Sequence, residues 1–112
     1  MLEFIRKTLS VKPYLIGSIL LDENQMAQVE IYTWRLCPFC IRAKGLLDKK
    51  GIIYQEHQID GDPEARNEMS QRADGRRTVP QIFINNKGIG GCDELHQLER
   101  QNQLDLLLNP PN

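Results

Sequence analysis

A chain of 112 residues is long enough for one domain of ordinary size with a single buried core. With 40% hydrophobic and 26% charged residues it has a globular rather than a disordered composition, and a formal net charge of −1 gives no electrostatic case for nucleic acid or a membrane surface. No stretch approaches the roughly eighteen apolar residues of a membrane span, and three cysteines are too few and too odd for a disulfide scaffold, so a reducing compartment such as the cytoplasm and a reactive thiol pair are expected.

The first 25 residues carry early basic side chains and a short apolar run, Tyr14 to Leu21, in faint echo of an export signal. Gly17 and Ser18 interrupt the run, and no small-residue cleavage site follows it. Met26 opens "MAQVEIYTW", a reasonable start for a compact domain. Residues 1–25 therefore read as an N-terminal extension of unassigned role, and residues 26–109 as the domain.

Val29 to Thr33 alternates as a strand, with Val29, Ile31 and Thr33 on one face and Glu30 and Tyr32 on the other. A helix is predicted to follow "RLCPFC", with Pro38 tolerated in its first turn because an N–H there would lack a helical partner anyway. Ala43, Leu46 and Leu47 form its apolar stripe, Ile41, Gly45 and Asp48 share another side, and Lys49, Lys50 and Gly51 mark its end. Ile52 to Asp60 reads as a second strand. Asp62 and Pro63 then supply the cap and first position of a second helix. Gln81 to Asn85 is a third strand, and Asn85-Asn86 signals a tight hairpin into "KGIGG", because Asn tolerates positive φ. A helix from Cys92 and a short one in "LDLLL" complete the order. The first strand–helix–strand unit implies a right-handed parallel crossover, and the hairpin adds antiparallel strands. The expected fold is α/β, a four-stranded mixed sheet flanked by helices, with Cys37 at the carboxyl end of a strand, where such folds place their chemistry.

Cys37 and Cys40 invite three readings: a zinc site, a cluster site or a redox pair. Structural zinc needs four ligands, and the remaining candidates, Cys92, His57 and His96, show no matching spacing, so no metal is expected. A redox pair needs an attacking thiolate, favoured here by the helix N-terminus and by Arg35 and Arg42 close in sequence. It also needs a second sulfur within reach, and positions i and i+3 in a helical turn are neighbours. Cys37 is thus the predicted nucleophile and Cys40 the resolving thiol.

"CPFC", "TVPQIFI" and "GGCDEL" together resemble the glutaredoxins, and within them the bacterial dithiol class, from about Val29 to about Leu107. The family's usual motif has Tyr where this chain has Phe39, which keeps the ring and loses the hydroxyl. The resemblance implies a thioredoxin-like fold and reduction of protein disulfides and protein–glutathione mixed disulfides. Glutathione is then the co-substrate, glutathione reductase a partner only through glutathione, and the protein a monomer. It further implies that Pro80, after Thr78 and Val79, is cis, with the Val79 backbone beside Cys37 ready to pair with glutathione. Gly91, Cys92 and Asp93 would receive its γ-glutamyl end, and Arg76 its glycine carboxylate. Many relatives carry Lys at the position of Trp34; Trp34 lacks that charge, which leaves Arg35 to supply it. An iron–sulfur carrier, ligated by Cys37 and an external glutathione, is the alternative, against which Pro38 argues. A thioredoxin-type reductase is a second, against which "CPFC" in place of "CGPC" argues.

Overall fold

The computed structural model describes residues 26–109; the Tyr14 to Leu21 run lies outside them. Strand β1 (Val29–Thr33) leads through Cys37 into helix α1 (Pro38–Lys49), followed by β2 (Gln55–Gln58), α2 (Pro63–Arg72), β3 (Gln81–Ile84), β4 (Lys87–Gly90), α3 (Cys92–Arg100) and α4 (Leu104–Leu108). The sheet order is β2-β1-β3-β4, with β1 parallel to β2 and antiparallel to β3, and β3 antiparallel to β4. This is the mixed four-stranded sheet expected from the element order.

Period-two alternation on the central strands divides the core in two. Val29 and Ile31 of β1 and Ile82 and Ile84 of β3 meet Ala43 and Leu47 of α1, Cys92 and Leu95 of α3, and Leu104 and Leu108 of α4. On the other face Tyr32 and Phe83 pack with Ile59, Met69 and Ala73 beneath α2. Each Val, Leu, Ile, Met or Phe among them, fully buried, contributes about 1.5–3 kcal/mol. Both faces of β1 are therefore covered, and Glu30 shares the α2 face with Tyr32. Helix α1 buries Cys40, Ala43 and Leu47 and leaves Ile41, Gly45 and Asp48 exposed, as its predicted faces require.

Local signals set the element ends. The Asp62 carboxylate accepts the Ala65 N–H at 3.0 Å, with Pro63 at the first helical position. Asn85 and Asn86 take φ of 52° and 68°, the left-handed pair a tight hairpin demands. The second strand is shorter than the predicted Ile52–Asp60. Its partner β1 pairs only from Glu30 with Gln55 to Thr33 with Gln58. Before that, the Ile52 N–H is bound to the Leu47 carbonyl at the end of α1, and Ile53 is 82% exposed. After it, the Ile59 N–H closes onto Thr33 O, and Asp60 turns to the Arg35 N–H.

Candidate active site

Cys37 is the N-cap of α1. Its extended backbone (φ −127°, ψ 105°) turns Sγ back over the helix end, where it accepts the Cys40 N–H at 3.2 Å. A sulfur there faces backbone donors that have no helical acceptor. Cys37 keeps 8% exposure and Cys40 none. Burial, then contact with the Cys37 sulfur, pushes the Cys40 thiol far above its ordinary range, so it keeps its proton at neutral pH. The two sulfurs are thus unlike before any substrate arrives: one slightly exposed and bonded as an acceptor, one fully buried and protonated.

Val79–Pro80 is cis, and the Val79 carbonyl lies 3.9 Å from Cys37 Sγ. Gln81 is buried, and its Nε2 donates to the Thr78 carbonyl at 3.0 Å, which ties down this turn from below. Beside it opens a cleft of about 280 Å³, lined by Phe39, Arg76, Thr78, Val79, Pro80, Gly91, Cys92, Asp93 and Glu94. The cleft thus gathers residues from α1, from the turn before β3 and from the start of α3. Close approach of the last two needs glycine: a Cβ at Gly91 would stand 3.0 Å from the Pro80 carbonyl. Gly90, at φ +107°, sits where a side chain would be strained and would strike Glu94.

Of the predicted binding residues, Arg35 is the one that does not line this cleft. Its backbone N–H donates to Asp60, and its Nε lies 3.9 Å from the same carboxylate, on the β2–α2 side. Trp34 lies under the Arg66 guanidinium, 5.1 Å from its ring centroid. Glu94 is a further residue of the cleft wall. Its Oε1 accepts the Gly91 N–H at 2.7 Å and lies 3.6 Å from Arg76, and these contacts, the backbone bond first, hold its carboxyl below the usual range. The signal was legible: a Glu at the third helical position that reaches back to its own cap is half of a capping box. Cys92 is buried, its sulfur 3.5 Å from His96 Nδ1; burial raises its pKa, and the neighbouring Asp93 carboxylate adds to the rise. Cys92 is thus a protonated thiol in the cleft wall.

The site is therefore a helix-capping thiol with a buried partner one turn on, next to a cleft edged by main chain and by a second helix N-terminus. The family model for glutaredoxin matches residues 29–89. This chain belongs to the glutaredoxin family. A probable glutaredoxin of Synechocystis sp. is 63% identical over 87 residues, covering 77% of this chain and 80% of that protein. Glutaredoxin 3 of Escherichia coli is 55% identical over 83 residues, covering 74% of this chain and 99% of that one. The crystal structure of a buckwheat glutaredoxin–glutathione complex superposes with a TM-score of 0.68 at 30% identity, over 80% of this chain and 81% of the other. The thioredoxin-like fold and a thiol–disulfide oxidoreductase activity follow from this membership.

Proposed function

We propose that this glutaredoxin reduces protein disulfides and protein–glutathione mixed disulfides through Cys37 and Cys40, with glutathione as the electron donor. The observation that carries the reading is the cleft beside Cys37. It offers an extended peptide the Val79 main chain, and offers a carboxylate the amino end of α3 with the Arg76 guanidinium beside it. Glutathione is a short peptide with a carboxylate at each end. In this reading Phe39, Thr78, Val79 and Pro80 hold its middle. Gly91 and Cys92 supply N–H groups to the γ-glutamyl carboxylate, and exposed Asp93 faces its ammonium. A relative solved with glutathione supports the choice of ligand.

The Cys37 thiolate attacks the glutathionyl sulfur, the client thiolate leaves and takes up a proton, and Cys37 is left joined to glutathione. A second glutathione thiolate then attacks that disulfide and releases oxidised glutathione. With a protein disulfide, Cys40 loses its proton and attacks the Cys37 mixed disulfide instead, which forms the Cys37–Cys40 bond; two glutathione molecules reduce it again. Glutathione reductase acts only through the glutathione pool; the proposed setting is the cytoplasm and the proposed working form a monomer. The test is turnover of a small glutathione mixed disulfide, coupled in one cuvette to glutathione reductase and in another to thioredoxin reductase. Activity in the second alone would overturn the choice of donor.

Binding should be separable from thiol chemistry. Asp93→Ala and Arg76→Ala should each raise KM for a glutathionylated substrate with a smaller effect on kcat, because these contacts serve ground and transition states alike. Charge-assisted bonds are worth about 1.5–3 kcal/mol when shielded, and both side chains are exposed, so roughly a threefold to tenfold rise is expected. An unchanged KM in both would place the ligand elsewhere.

We also assign the working domain to residues 26–109. The Ala27 N–H is bound to the Leu108 carbonyl at 3.1 Å, and Gln28 exchanges bonds with Asn85, so the chain is tied into the fold from Ala27 onward. A protein beginning at Met26 should match the full chain in turnover and melting temperature; a large fall in melting temperature would show that residues 1–25 pack on the domain.

A further inference from the structure

Resolution by Cys40 makes a demand that attack by Cys37 does not. The Cys40 sulfur is fully buried and protonated, and it has to become a thiolate inside the protein before it can attack. A buried anion is costly unless charges or N–H groups face it. Burial and the Cys37 sulfur hold the proton on Cys40; the Trp34 N–H, just past β1, and the Lys44 ammonium act the other way.

Lys44 follows Cys40 by one helical turn, which sets the two Cβ atoms about 6 Å apart on one side of α1. Its ammonium is tied down from the sheet. Nζ donates to Glu56 Oε2 of β2 at 2.8 Å, and the Thr33 hydroxyl of β1 donates to the same oxygen at 2.6 Å. Thr33 is fully buried, and the Lys44 and Glu56 side chains are only 25% and 26% exposed. Among the described residues no other carboxylate stands within ion-pair distance of Lys44. Three elements therefore fix one ammonium on the side of α1 that carries the resolving thiol. Glu56 is not the base of this cluster. Burial works against its charge, the Lys44 and Thr33 bonds outweigh burial, and the carboxyl lies below its usual range. A carboxylate held low is a poor proton acceptor at neutral pH.

We infer that Lys44 is a positioning residue for the second chemical step: its ammonium, held by Glu56 and Thr33, stabilises the Cys40 thiolate as that sulfur attacks the Cys37 mixed disulfide. The inference rests on the roles of Cys37 and Cys40 proposed above and deepens them. Cys40 gives its proton to solvent and forms the bond to the Cys37 sulfur. The client thiolate leaves with the electron pair of the broken bond, and Lys44 keeps its own proton throughout. The first attack has a different setting, since the Cys37 sulfur faces the Cys40 N–H at the helix end.

One equivalent of the symmetric disulfide of thionitrobenzoate reads both steps in one absorbance trace and needs no glutathione. Attack by Cys37 releases one thionitrobenzoate and leaves the other joined to Cys37. Attack by Cys40 then releases the second, at a rate independent of protein concentration. Lys44→Gln should slow the second release by about threefold to tenfold and leave the first within about twofold of wild type. The thiolate population falls by about tenfold to a hundredfold, and the greater nucleophilicity of a more basic thiol returns part of that loss. Lys44→Arg keeps the charge and should bring the second release back to within about twofold of wild type. Glu56→Gln keeps an acceptor oxygen for Lys44 and removes the opposing charge, so its second release should be no slower than wild type. A pair that served only as a structural tie would make Lys44→Gln and Glu56→Gln slow alike; that result would overturn the inference, as would a second release unmoved by Lys44→Gln. No second release from wild type would show instead that Cys40 does not resolve, and would end the proposed roles and the inference together.

Discussion

Cys37→Ser should abolish turnover of every disulfide substrate, and Cys40→Ser should not. Without the Cys37 sulfur no thiol caps α1, and the buried, protonated Cys40 cannot replace it as the first attacker. The Cys40→Ser variant keeps the attacking sulfur and its bond to the backbone N–H at position 40, since serine retains that N–H. Which reactions survive then depends on what attack leaves on Cys37. A glutathionyl group is displaced by a second glutathione from solution, so removal of glutathione from proteins should continue at a rate within about tenfold of wild type. A folded client joined to Cys37 shields its own disulfide, and a resolving sulfur one helical turn away has no substitute. Reduction of a protein disulfide such as that of insulin should therefore fall by about a hundredfold or more, as an intramolecular step becomes bimolecular. Two assays on each variant suffice. A Cys40→Ser protein inert toward glutathione mixed disulfides would end this division of labour, as would one fully active on insulin. With the wild-type protein at neutral pH, iodoacetamide should label Cys37 well ahead of Cys40, because burial both hides Cys40 and keeps it protonated.

The second large effect is on stability and lies away from the thiols. Glu30, on the α2 face of β1, binds Arg72 through both carboxylate oxygens at 2.9 Å and meets His57 Nε2 at 3.0 Å. The Arg72 guanidinium also donates to the Tyr32 hydroxyl and lies 4.1 Å from the Phe83 ring centroid. The Arg72 bonds, helped by His57 and opposed by burial, hold the Glu30 carboxyl at about 2, against an ordinary value of 4.5. A carboxylate held low stabilises the fold fully above the unfolded value and loses that contribution as pH falls through the folded one. At about 1.4 kcal/mol per pH unit this carboxylate contributes on the order of 3 kcal/mol near neutrality. Arg72→Ala should remove it, together with the cover on Phe83, and lower the melting temperature by roughly 10–20 °C. Glu30→Gln should cost less and flatten the acid limb: wild type should lose stability steeply between pH 4.5 and about 2, and the variant less so over the same window. Glu56 and Glu94 are held low as well, so a shallower loss persists in the variant. Equal acid limbs in the two proteins would show that Glu30 is not the titrating group, and a melting temperature unmoved by Arg72→Ala would show that the network is only surface decoration.

What the sequence by itself determined is local, because the interactions that settle it act within a few residues along the chain. Cys37 caps a helix because Pro38 cannot continue a strand ladder and suits the first helical position. Asp62-Pro63 starts α2 for the same reason, and Asn85-Asn86 turns because both tolerate positive φ. The proposed division of roles between Cys37 and Cys40 starts from that cap, and the residues that line the cleft fall within the motifs "CPFC", "TVPQIFI" and "GGCDEL", except Arg76. The tertiary structure decided what depends on which surfaces meet. Strand β2 ends where β1 stops offering partners, although the apolar pattern runs on through Ile52 and Ile53. Arg35 turns to Asp60, 25 positions away, and Glu30 finds Arg72, 42 away. No periodicity announces either pair, since an ion pair forms with whichever opposite charge the fold brings within about 4 Å. Trp34 reads in sequence as a departure from the Lys of many relatives, and only the packing of α2 against β1 sets Arg66 over it.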